Sequence, residues 1–102
     1  MGKYVLVYKG GRMPETDEER GEVMAKWGAW FGDLGDSVVD MGNPFAGSAS
    51  VSADGSNGAA ASGLGGYSIL TASSLDDAVG KAGGCPILTA GGGVEVYETL
   101  EM

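Results

Sequence analysis

The chain has 102 residues, 14 of them Asp or Glu against six Lys or Arg, with no histidine and a formal net charge of −8. That length supports one domain with one core. The charge repels phosphate backbones and anionic membrane surfaces, so neither nucleic acid nor a membrane is expected as a partner. Twenty glycines add backbone entropy that the core must offset, which predicts a monomer of modest stability.

Residues 3–8 alternate Tyr4, Leu6 and Tyr8 with Val5 and Val7, predicting a first strand with apolar side chains on both faces. The run is too short for a signal peptide, and no stretch approaches the roughly 20 apolar residues of a membrane span. After a loop over 10–14, Thr16 and Glu19 form a capping box that opens a long helix. Val23, Met24, Trp27, Trp30, Phe31 and Leu34 follow at helical spacing, predicting an apolar face laid along a sheet and the main investment in the core. Gly35 ends the helix, 37–41 forms a second strand, and Gly42, Asn43 and Pro44 break it. A weaker strand is expected over 49–53, and the Gly, Ala and Ser-rich stretch 54–66 reads as a mobile loop or hairpin extension.

The stretch 65–86 holds a strand, a helix start, a helix and a stop in one piece. Tyr67, Ile69 and Thr71 alternate with Ser68, Leu70 and Ala72, again apolar on both faces. Ser74 and Asp77 form a second capping box, and Leu75, Ala78, Val79 and Ala82 make a narrow apolar stripe. Gly83 and Gly84 ahead of Pro86 predict a left-handed cap and a stop. A last strand runs over 94–99 after the glycines at 91–93. Helices that cover one face of such a sheet give an α+β sandwich of ferredoxin-like βαββαβ type. The two doubly apolar strands need cover on the other face, which a second copy packed sheet against sheet supplies, so a homodimer is expected.

Cys85 is the only cysteine, which rules out an internal disulfide and points to the cytoplasm. It follows a helix C-terminus, where the dipole raises a thiol pKa, so a structural thiol is expected rather than a nucleophile. Zinc lacks its His and Cys ligands, residues 54–58 lack the acidic spacing of a calcium loop, and neither GxGxxG nor GxxxxGK occurs. No metal or cofactor is expected. Without histidine, acid–base work near neutral pH needs a carboxylate of raised pKa, a lysine of lowered pKa, or the thiol. Asp40, between Val39 and Met41 at a strand end, is the most suggestive base, whereas Lys26 reads as a snorkelling boundary residue. Tyr8 and Tyr67 could present phenols to a ligand, or stand as core tyrosines with satisfied hydroxyls.

The blocks MGKYVLVYKG, WGAWFGDLGDSVVDMGNPF, GGYSILTASSLDDAVGKAGGCP and VEVYETLEM, in that order over nearly the whole chain, resemble the YCII-related family of small dimeric α/β-barrel proteins. The resemblance implies a ferredoxin-like fold, a dimer with a cleft between helix and sheet, and, in a few members, enzymes acting on small aromatic or lactone-like compounds. It also implies a His and Asp dyad near the end of the first helix. Here the His position falls near Ala25 or Lys26, leaving Asp33 as the surviving member, and the family's DGPF segment is replaced by Asp54, Gly55, Ser56 and Asn57. The expected function is the binding of a small aromatic or hydrophobic molecule in a cleft, with Trp27, Trp30, Tyr67 and Tyr8 as ligand-binding residues. One alternative is an isomerase or lyase with Asp40 or Asp33 as base, and another is a non-catalytic interaction module in which the 54–66 segment orders on a partner.

Overall fold

A computed structural model describes residues 2–60 and 62–101. Strand β1 (Gly2–Lys9) buries Tyr4, Leu6 and Tyr8 and leaves Val5 and Val7 half-buried. Helix α1 (Asp17–Leu34) starts as expected: the Thr16 hydroxyl accepts the Glu19 N–H at 3.1 Å, while the Glu19 carboxylate accepts the Glu15 N–H at 2.9 Å. It stops at Gly35, whose φ of 55° lets its N–H reach the Phe31 carbonyl. A 3-10 turn, Gly35–Ser37, leads into β2 (Val38–Asp40). Then come the short strands β3 (Ser50–Val51) and β4 (Asn57–Gly58), the long β5 (Leu64–Ala72), α2 (Leu75–Ala82), a 3-10 turn Pro86–Ala90 and β6 (Gly93–Glu98).

Four strands form one antiparallel sheet in the order β2-β5-β1-β6. Strands β1 and β2 run the same way with β5 inserted between them, an α+β arrangement compatible with a ferredoxin-like fold. Register separates the two faces of the sheet. Tyr4 pairs with Leu70, and Leu6 with Ser68 and Val96, all on the helix side. Val5 pairs with Ile69 and Tyr97, and Val7 with Tyr67 and Glu95, on the side the helices leave open. The buried cluster joins Tyr4, Leu6, Tyr8, Leu70 and Ala72 to Trp30, Ala78, Ala82 and Cys85.

Several expectations are corrected. Of the six apolar residues of α1 only Trp30 is fully buried, and Met24 is 69% exposed, because the space between the helix and the end of the sheet is a cavity. In α2 the contact stripe narrows to Ala78 and Ala82, with Leu75 and Val79 exposed, so small side chains set the helix on the sheet. Gly83 is right-handed at φ −60° and Gly84 has no positive φ, so neither makes a left-handed cap. Gly84 is needed for space instead: a Cβ there would meet the Trp30 ring at 3.3 Å. The left-handed residue comes later, at Gly91 with φ 84°, closing the second 3-10 turn. The strand expected over 49–53 does not join the main sheet; Ser50 and Val51 pair with Gly58 and Asn57 in a separate ribbon. The stretch 54–66 thus contributes β4 and the first residues of β5, with Ala61 outside the described residues. Strands β1 and β5 are covered on one face only, the other being half-exposed. Among the described residues no helix is long and apolar enough to cross a membrane.

Candidate functional site

The site is built at one end of the sheet, where β1 leaves at Gly10, β5 enters at Gly65, and the chain beyond β2 folds across both. Asp40 starts that crossing, its carboxylate accepting the Gly42 N–H at 2.8 Å. Gly42, at φ 75°, then turns the chain onto β5. Pro44 bridges to Gly66, the Tyr67 N–H donates to the Asn43 carbonyl at 3.3 Å, and the Phe45 N–H donates to the Gly65 carbonyl at 2.8 Å. The approach is closer than any side chain allows: a Cβ on Gly42 would lie 1.7 Å from the Tyr67 carbonyl oxygen. Residues 41–45 therefore form a strap held against β5 by main-chain bonds.

Between this strap, β1 and α1 lies a cavity of about 520 Å³, lined by Tyr8, Trp27, Phe31, Met13, Met24 and Met41 among others. Its aromatic wall is continuous. Tyr8 and Trp27 meet edge to face with ring centres 5.0 Å apart, and Phe31 lies 6.0 Å from Trp27. All three methionines among the described residues stand on this cavity, each more than 60% exposed. Thioethers on flexible stems give it a soft, polarizable rim suited to aromatic surfaces.

One polar relay backs the wall. The Tyr8 hydroxyl donates to Ser68 Oγ at 2.7 Å, and Ser68 in turn donates to the Met41 carbonyl at 2.6 Å. Ser68 is fully buried, so this relay satisfies it and ties β1, β5 and the strap together. Burial pushes the Tyr8 phenol up to about 12, with the Ser68 hydrogen bond acting the other way, so it stays protonated at any physiological pH. A second chamber of about 510 Å³ adjoins the first and shares Gly10, Met13, Trp27, Pro44 and Ile87 with it, but its further walls carry Arg12, Glu19, Glu22 and Lys26.

The six residues expected at a site are thus divided. Tyr8 and Trp27 stand together on the first chamber, and Tyr67 borders it. By register Tyr67 belongs to the open face of the sheet, where its ring stacks on Phe45 at 5.9 Å. Trp30 lies behind the wall, buried, its indole N–H donating to the Lys81 carbonyl at 3.1 Å. Asp33 and Asp40 line neither chamber and are exposed, so the desolvated strand-end setting expected of Asp40 is replaced by a turn-forming one. Cys85 is buried and free, its thiol pushed up to about 11 by desolvation. Among the described residues no group of three or more His, Cys, Asp or Glu side chains is placed to hold a metal.

Phe31 was expected in the core, and Met13, Met41 and Ser68 were not singled out for the site. The one sequence signal for the strap was Gly42-Asn43-Pro44, read as a strand break when it is also the wall of the chamber. Comparison with the models of known families, with curated proteins and with solved structures gives no match to this chain.

Proposed function

We propose that the protein binds a small aromatic or hydrophobic molecule in the chamber beside Trp27. The observation that supports this most is the joining of an aromatic wall (Tyr8, Trp27, Phe31) to a methionine rim around a volume of about 520 Å³, well within the range of ligand pockets. The cleft between helix and sheet is also what the resemblance to the YCII-related family implies. Neither Asp33 nor Asp40 lines the chamber, so neither is proposed as a base there. A buried free thiol accords with a cytoplasmic setting.

A second proposal concerns assembly. Val5, Val7 and Ile69 are half-buried and Tyr97 is 54% exposed on the open face of the sheet, and a second copy packed on it would complete a dimeric α/β barrel of ferredoxin-like units.

Tryptophan fluorescence and thermal shift against a set of bicyclic and monocyclic aromatics test the binding reading. A ligand at about a hundredfold excess over its Kd raises stability by about 2.7 kcal/mol. The Trp27→Leu variant is expected to lose both signals while remaining folded. A set without any shift in either signal, or full binding by Trp27→Leu, defeats the proposal.

A further inference from the structure

The first chamber is apolar and its neighbour is charged, and Trp27 stands on both. The charged chamber is lined by two cations, Arg12 and Lys26, that make no ion pair among the described residues. Among the described residues, ion pairs engage Lys9 with Glu95, Arg20 with Asp17 and Lys81 with Asp77. Of the other three basic residues, Lys3 lies by register on the open sheet face, and Arg12 and Lys26 both line the charged chamber. In a chain of net charge −8, two of the six basic residues thus stand on one cavity, outside the ion pairs formed among the described residues. The backbone at Arg12 is tied down: its main-chain N–H donates to the Ala90 carbonyl at 2.8 Å, fastening the 10–14 loop to the turn Pro86–Ala90.

Two carboxylates face the same space. Glu19 is already engaged, accepting the Glu15 N–H at the start of α1, and Glu22 stands one turn before Lys26. With the exposed Arg12 and Lys26 they make a mixed-charge wall, on which a ligand carboxylate has a cation to pair with from either the 10–14 loop or α1.

Resting on the aromatic-binding reading above, we infer that the natural ligand is an aromatic monocarboxylate, its ring in the Tyr8–Trp27–Phe31 chamber and its carboxylate toward Arg12 and Lys26. Dianions are disfavoured by the overall charge of −8.

The test titrates the protein, by tryptophan fluorescence at low salt, with naphthylacetate, naphthylacetamide and naphthylmalonate, which share a ring system and differ in charge. Naphthylacetate is expected to bind about tenfold tighter than either of the others. An Arg12→Gln/Lys26→Gln double variant, verified as folded by its thermal transition, is expected to bind naphthylacetate no tighter than naphthylacetamide. Equal affinities for acid and amide in the parent protein, or a preference for the acid that survives in the double variant, overturn the inference and leave aromatic binding standing. Absence of binding by all three overturns both.

Discussion

At the scale of single residues, the two tryptophans differ in setting, Trp27 lining a cavity and Trp30 buried, although both sit on the apolar side of α1. Trp30 is 6% exposed, bonded to the Lys81 carbonyl and packed on Gly84, so it joins α1 to the end of α2. Trp30→Ala is expected to cost about 3 to 5 kcal/mol in urea unfolding; a cost under about 1 kcal/mol would show that this junction is not packed. Helical spacing marked both residues as apolar-face positions, but spacing cannot tell a residue over the sheet from one over a gap beyond the sheet's end. Buried acids provide a second readout. Burial raises Cys85 from its ordinary 9.0 to about 11 and Tyr8 from 10.0 to about 12, so both stay neutral in the folded protein over a range where the unfolded chain ionises. Stability is therefore complete below the unfolded values and falls as pH rises through the folded ones. In the Cys85→Ala variant the fall from about pH 9 to about pH 11 should be smaller than in the parent. Identical alkaline profiles would mean that the thiol is not desolvated.

At the scale of elements, what could be read in the sequence was what local chemistry determines. Thr16 and Ser74 cap their helices through the amides of Glu19 and Asp77, as their spacing to an acidic residue implies. Three strands of the main sheet lie within a residue of where the pattern put them, and β5 starts three residues earlier, at Leu64, inside the stretch read as a loop. What could not be read depends on contacts across the chain. Gly42 looks like any turn glycine, and only the proximity of the Tyr67 carbonyl shows that the strap lies directly on β5. Ser50 and Val51 had a strand-like pattern, yet without a long apolar neighbour they pair only with Asn57 and Gly58. The same contrast governs substitution. Gly42→Ala places a side chain in a left-handed conformation and against a backbone oxygen, so the strap must lift. It is expected to lower stability by more than about 2 kcal/mol and to abolish ligand binding in the chamber. Gly28→Ala, in the middle of α1 with open space around its Cβ, is expected to stabilise by up to about 1 kcal/mol. Thermal unfolding of the two variants should move in opposite directions. A neutral Gly42→Ala would show that the strap is not held against β5.

At the scale of the whole molecule, the distribution of charge determines how a second copy can approach. The acidic residues gather around the helix ends and loops, with Glu15, Asp17, Glu18, Glu19 and Glu22 along the start of α1 and Asp33 and Asp36 at its end. The open face of the sheet is different. By register β1, β5 and β6 present Lys3, Lys9 and Glu95 there, with Val5, Val7, Ile69, Tyr67 and Tyr97 among them, and Lys9 lies 3.7 Å from Glu95. Two copies of charge −8 repel at long range, but the part of this face formed by β1, β5 and β6 carries two lysines against one glutamate. In the proposed dimer the attraction is apolar and is not weakened by ionic screening, whereas the repulsion is screened over about 10 Å at about 0.1 M ionic strength. Dimerisation through this face is therefore expected to strengthen with added salt, the reverse of an association held by ion pairs. Sedimentation equilibrium at about 20 mM and about 300 mM salt should give a lower dimer Kd at the higher value. The Ile69→Lys substitution, placing a cation at the centre of the face, should leave a folded monomer under both conditions. A parent protein that is monomeric at high salt, or an Ile69→Lys variant that still dimerises, would remove the sheet face from the assembly and leave the half-exposed valines of β1 without a partner.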